Sequence, residues 1–318
     1  MAKKDNTTFR TSIGGQALIE GILMRGPEKQ AVVVRSPGGL VIREEKLKLV
    51  RDRYPMLGLP LIRGGVTFLD SMFKGVKALM FSADYFPEED SGEPSKFELW
   101  LNEKLGNERM EKLVIAVAVV LSVLFSVGLF MLLPTAIAGV VEWFTDSVLV
   151  RNLVDAVLRI AIFMTYLALV SRMKDIRRVF AYHGAEHKSI HCYEKGLELT
   201  VENVRAQSKH HPRCGTSFLV VVIIISILIN TAVFTVFPAP NLLVRIVVQL
   251  LLLPIVVGVA YEFNRYVGAH DNPVTTFLAK PGMWMQKFTT CEPNDSMIEV
   301  AIEALKRVIP EEKGKDQW

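Results

Sequence analysis

Long apolar stretches alternate with charged ones along this chain. Residues 113–141 and 215–244 contain no aspartate, glutamate, lysine or arginine, and each exceeds the roughly 20 residues that cross a hydrocarbon core of about 30 Å. Extended to the less regular stretches, the pattern predicts four spans, at 113–135, 148–171, 216–237 and 244–262. The second carries Asp155 and Arg159, which at i and i+4 can neutralise each other. The third and fourth form a hairpin through Pro238, Pro240 and Asn241.

Ahead of the spans the period is shorter. Residues 31–35 and 40–43 read as two strands around Ser36-Pro37-Gly38-Gly39, and residues 13–27 are apolar and punctuated by glycines. Glu20 and Arg25 stand in these apolar surroundings and either pair with each other or reach a site. From residue 57 to 81 the period becomes helical: Val66, Leu69, Met72, Phe73, Val76, Leu79 and Met80 share a side, opposite Asp70, Lys74 and Lys77. This predicts a helix on the membrane surface or packed under the spans. Residues 87–94 read as an acidic linker, 97–112 as an amphipathic lead-in, and Ser296 with Glu299 as a capping box opening a helix to residue 309. The expected organisation is a cytoplasmic β-containing module (1–56), interfacial helices and linker (57–111), a four-span membrane domain including a His-rich helix at 172–213 (112–265), and a C-terminal segment (266–318). The fold class is mainly α, a polytopic helical membrane protein with a small β-containing module.

Composition agrees. Of 318 residues, 50% are hydrophobic although 22% are charged, so the apolar residues are concentrated. The N-terminus lacks the apolar core of a cleaved signal. Three cysteines give no disulfide framework and fit a reducing compartment. The net charge of +4 is spread widely, without the basic runs of a nucleic-acid binder. Basic residues crowd between spans two and three (Arg172, Lys174, Arg177, Arg178, Lys188, Lys195, Arg205, Lys209, Arg213), while the opposite loops offer little beyond Arg151 and Arg245. Positive charge stays inside, so both termini and the His-rich helix are expected in the cytoplasm.

That helix carries the chemistry. His183, His187, His191 and Glu194 fall within an arc of roughly 80°, with Glu186 at its edge and Cys192 nearby. His183-Gly184-Ala185-Glu186-His187 fits H-x-x-E-H, in which two histidines one turn apart bind zinc and the glutamate handles a water proton. The four-residue repeat cannot all serve one ion, because His183 and His191 are separated by a rise of about 12 Å. His183 and His187 with Glu262, from the end of span four, form the preferred set. His187 and His191 with Cys214 or His211 form the rival, and His210, Cys192 and Glu194 are further ligand or supporting candidates. The alternative without metal is a hydrogen-bonded joint between helix ends.

Four stretches carry a resemblance: GGQALIEGILMRGP, YHGAEHKSIHCYE, HPRCGTSF, and KFTTCEPND through EVAIEAL. Together they resemble the YqhQ-like family of bacterial membrane proteins, described as predicted metal-dependent enzymes. The resemblance implies a location in the bacterial cytoplasmic (inner) membrane and a metal on His183, His187 and their neighbours. It supplies no reaction. The expected function is a zinc-dependent hydrolase at the cytoplasmic interface, with Glu186 as general base and Arg265 or Arg213 stabilising a developing anion. The alternative is a non-catalytic accessory factor that docks a membrane complex for translocation or quality control. The bilayer is the expected partner in both.

Overall fold

The computed structural model describes residues 9–48, 50, 54–86, 107–239, 241–270, 272–312 and 314–317, with backbone alone at 107–112 and 142. The acidic linker and the first part of the lead-in predicted from sequence lie outside the described residues. The chain is mainly helical, with four helices long and apolar enough to cross a membrane, over Leu113–Gly139, Val148–Val170, Gly215–Val236 and Leu242–Ala269. It divides into two compact units, one of residues 1–86, 166–228 and 252–318, the other of 87–165 and 229–251.

The first unit begins with an antiparallel meander of β1 (Gly14–Leu18), β2 (Gly21–Arg25), β3 (Lys29–Ser36) and β4 (Gly39–Lys46), in that spatial order. The glycine-punctuated stretch 13–27 is therefore itself a hairpin, turning at Glu20 with φ +49°. Gly21 allows the close approach, since a Cβ there would lie 3.0 Å from a Val34 methyl. β2 and β3 are continuous apolar runs because both sheet faces are covered. Ile22, Met24, Ala31 and Val33 enter a core with α5 (Lys174–Glu194) and α10 (Asp295–Val308), while Leu23, Val32 and Val34 meet Ala78 of α1 (Ile62–Ala83). Outermost β4 carries Arg43, Glu44, Glu45 and Lys46, charges that discourage edge pairing.

The sheet, the His-rich helix and the C-terminal helix thus share one hydrophobic core. α10 is capped by Asn294, whose side chain accepts from Met297 N at 3.0 Å, and not by Ser296, which lies inside the helix and hydrogen-bonds the Asn294 side chain. The pairing expected as one option for Glu20 and Arg25 is absent: Glu20 accepts from Arg178 and Tyr182, and Arg25 donates to Ser71.

The remaining helices are α2 (Asn107–Val127), α3 (Leu133–Gly139), α4 (Val148–Val170), α6 (Val201–Arg205), α7 (Gly215–Val236), α8 (Leu242–Ala269) and α9 (Pro273–Thr289). Between α2 and α3, Gly128–Leu132 forms a π turn. Pro134 has no N–H to give to the carbonyl four residues back, which loosens the helix locally and lets it continue. α8 runs seven residues past the predicted end of its span (269 − 262), so Glu262 lies inside a helix.

In the second unit a polar cluster lies among apolar helices. Arg159 Nε donates to Asp155 at 3.1 Å, as the i, i+4 spacing predicts, and Thr135 joins the pair to Gln249 at 3.3 Å. Arg245 donates to Asn152 at 2.7 Å and stacks on Phe234. Inside a bilayer such groups satisfy one another, because lipid offers no partners.

Candidate metal centre

The centre is built on the buried stretch of α5. Gly184 faces the chain that follows α9: a Cβ at that position would collide with the Cys291 carbonyl, and Cys291 N donates to Phe180 O at 2.8 Å. With the helix and this segment in backbone contact, the Thr289 carbonyl reaches His183. His183 Nδ1 bonds it at 2.8 Å, and His187 Nδ1 bonds the Lys209 carbonyl at 2.6 Å. A carbonyl only accepts, so both Nδ1 atoms carry protons, and in the neutral rings both Nε2 atoms are lone pairs.

The Nε2 side faces Cys214, whose Sγ lies 3.2 Å from His183 Nε2 and shares a proton with it. One nitrogen of His183, one of His187 and this sulfur fall within 4.8 Å of one another, and the two rings are 4.3 Å apart. Cys214 directly precedes α7, where Thr216 N donates to the sulfur at 3.3 Å. Its loop is fixed by fully buried Gln286, which accepts from His211 N and donates to His211 O, both at 2.8 Å, and donates to Ser217 at 2.9 Å. Burial alone would push the Cys214 thiol up. The charges of His183 and His187 outweigh it and hold the thiol well below its ordinary range. Burial likewise opposes charge on His183, but Cys214 raises that imidazole.

Glu186 lies one turn face away and is buried. Its carboxylate accepts from Gly15 N at 2.8 Å, and burial raises its pKa. A Cβ on Gly15 would come within 3.1 Å of that carboxyl carbon and 2.7 Å of Leu23 O, so β1 approaches α5 here only as glycine. A cavity of about 410 Å³ is lined by His183, Glu186, His187, Cys214, Arg25 and Arg213, among others.

A second group, His191, Glu194 and His211, also lies within 4.8 Å. Its hydrogen bonds describe a different object. His191 Nε2 donates to His210 O at 2.8 Å, and His211 Nδ1 accepts from Arg213 N while Nε2 faces Glu194 at 3.4 Å. Glu194 is taken by Arg213 and by Thr11 N as well. A cation there would have to displace Arg213 and strip a proton from His211, so this group is an ion-paired clamp that ties the segment before β1 to the loop before α7. Burial holds His211 down to about 4.

The remaining expected residues are accounted for. Glu262 is gripped by Arg63, with Nε at 2.7 Å, and accepts from Leu61 N, so it is not the third member of the His183–His187 group; Cys214 is. The reason is competition: a carboxylate already held by a guanidinium is not free for an ion. Arg265 lines a different cavity, and Arg213 is committed to Glu194. Cys192 turns into the core toward the Leu197 and Glu198 carbonyls, and His210 contributes its carbonyl to His191. Sequence reasoning missed Gly15, which bonds Glu186; its only signal is the double glycine that opens β1.

Fold and site together define a polytopic helical membrane protein whose compact module holds a His–His–Cys group that could bind a metal. It belongs to the DUF1385 family of proteins of unknown function, whose profile matches residues 59–311. It is 32% identical over 309 residues to the uncharacterized protein YqhQ of Bacillus subtilis (strain 168), covering 96% of this chain and 94% of that one. No solved structure matches it.

Proposed function

We propose that the protein is a metal-dependent hydrolase, with zinc as its ion, acting at the cytoplasmic face of the bacterial inner membrane. One observation carries the reading: His183 and His187 each give their Nδ1 proton to a main-chain carbonyl, which turns both Nε2 atoms toward Cys214, where an ion replacing the proton between His183 and the sulfur would meet two nitrogens and a thiolate. Zinc-binding histidines are oriented in this way, and two nitrogens with one thiolate are a donor set that suits zinc. Held by His183, His187 and Cys214, such an ion would supply Lewis acidity toward water and a substrate oxygen. Glu186, lining the same cavity, takes up the water proton; its raised pKa brings it closer to the working pH of a base. Gly15 N keeps one carboxylate oxygen oriented while the other remains for this exchange. The basic residues between spans two and three support the inward orientation.

The test is elemental analysis of the purified full chain, followed by variants. About one zinc per chain is expected, lost in His183→Ala, His187→Ala and Cys214→Ser. In Glu186→Gln the zinc stays while hydrolysis of a panel of p-nitrophenyl esters and phosphoesters disappears. Full function of that variant, together with a stoichiometric crosslinked partner, would instead favour the accessory factor.

A further inference from the structure

From the turn at Pro55–Gly58 to the middle of α1, apolar side chains stand exposed among the described residues: Met56 is 76% exposed, Leu59 51%, Ile62 49% and Phe73 71%. The same stretch is bound to the membrane-spanning helix α8. A Cβ on Gly64 would meet the Gly258 Cα at 3.1 Å and Tyr261 closer still, and Arg63 pairs with Glu262. α8 has 28 residues, of which about 20 fill a 30 Å core. With a core of about 20 residues starting at Leu242, Gly258 and Tyr261 fall at its inner end, Glu262 and Arg265 follow at the head-group boundary, and the apolar side chains beside Gly64 are level with acyl chains.

A cavity of about 740 Å³ opens from this surface, its wall running from Leu57 and Val66 to Arg265. Arg265 is exposed and forms no salt bridge among the described residues, because its neighbour Glu262 is held by Arg63. Ser12, Gly26 and Leu47 line this cavity and also the one that contains His183, His187 and Cys214. Next to that shared wall stands Arg25. Its Nη1 is fixed on Ser71 at 2.9 Å, and its Nε and Nη2 are without a hydrogen-bond partner. That edge of a guanidinium is the one with which Arg63 and Arg178 each grip a carboxylate in this same protein.

We propose that the two cavities form one path for a membrane lipid with an anionic head group, its acyl chains lying against the 56–73 surface and its head group met by Arg265 and then Arg25. The path is continuous with the bilayer interface at α8, and Arg265 together with the open Nε–Nη2 edge of Arg25 complements a phosphate, the one carboxylate beside Arg25 among the described residues, Asp70, being bound by Lys74. That the lipid is a substrate rests on the metal-hydrolase reading; that it binds does not.

The full chain is reconstituted in phosphatidylcholine vesicles containing a trace of phosphatidylglycerol or phosphatidylcholine with a diazirine in the acyl chain, and photolabelled peptides are mapped by mass spectrometry. The phosphatidylglycerol probe is expected to label residues 56–66 several-fold more than the neutral probe. Arg265→Gln brings that ratio toward one while labelling of the span Gly215–Val236 is unchanged. Leu57→Trp, which fills the cavity, lowers labelling by both probes. Equal labelling by the two probes, or labelling confined to the faces of the spans, overturns the proposal. Zinc content measured on the same samples separates the two readings: zinc without head-group preference sinks the path alone, and preference without zinc sinks the hydrolase alone.

Discussion

Gly184→Ala tests how the centre is held together. In an isolated helix this change would stabilise by about 1 kcal/mol, because glycine is a poor helix former. Here the new methyl would collide with the Cys291 carbonyl and touch the Pro293 ring at 3.5 Å. The opposing group is backbone, tied to Phe180 by a 2.8 Å hydrogen bond, so it cannot swing aside as a side-chain tip would. Overpacking of this kind costs about 1–3 kcal/mol, which the propensity gain offsets only in part. The segment that moves carries the Thr289 carbonyl, and with it the proton acceptor of His183 Nδ1. Losing such a supporting bond lowers metal affinity about 10- to 100-fold. The assay is zinc titration against a competing chelator dye, with thermal unfolding in detergent on the same preparation. Gly65→Ala is the control: a Cβ there meets nothing within 4 Å, so a gain of about 0.5–1 kcal/mol and unchanged zinc affinity are expected. If Gly184→Ala behaves like the control, the backbone contact does not position His183 and the argument fails.

Three further outcomes are expected. Arg213→Ala leaves the Glu194 carboxylate buried with its main counter-charge gone (side chains 8% and 11% exposed), at a cost of about 3–5 kcal/mol, and Glu194→Gln added to it recovers part of the loss; equal unfolding temperatures for wild type and the single variant would refute this. Acid should destabilise the first unit: burial lowers His211 to about 4, and in Glu194 the His211 hydrogen bond and the Arg213 charge outweigh a burial effect of opposite sign and lower the carboxyl. Both groups bind protons more readily in the unfolded chain, so their contribution is complete above about pH 6.5 and is lost as pH falls, through His211 first; His211→Asn should flatten the upper part of that decline, and an unfolding temperature that rises between pH 7 and 4 would show the sign to be wrong. In the second unit, Asp155→Ala strands Arg159 among apolar helices and should sharply reduce the yield of folded protein in membranes, which Arg159→Met in the same chain restores in part, as measured by fluorescence-detected size exclusion.

Much of this protein is written in local pattern. Apolar runs of about 20 residues with few or no charges have one stable environment, so the four membrane-crossing helices follow from composition and length alone. A helix of known pitch brings His183 and His187 to one face and sets His191 a turn too far, which is why their separation into two groups agrees with spacing arithmetic. The third ligand candidate could not be read this way. Both Glu262 and Cys214 are expected near helix ends from the sequence; what separates them is that Arg63, 199 residues earlier in the chain, occupies the carboxylate, while Gln286 fastens the loop that brings the thiol to His183. Which ring nitrogen keeps its proton depends on two main-chain carbonyls, Thr289 and Lys209, that leave no trace in residue identity. Local sequence determined helices, faces and the presence of donors, because these depend on neighbours within a few residues. Only the tertiary structure decided which donors meet, because each long-range partner is claimed in competition with every other group the fold brings within reach.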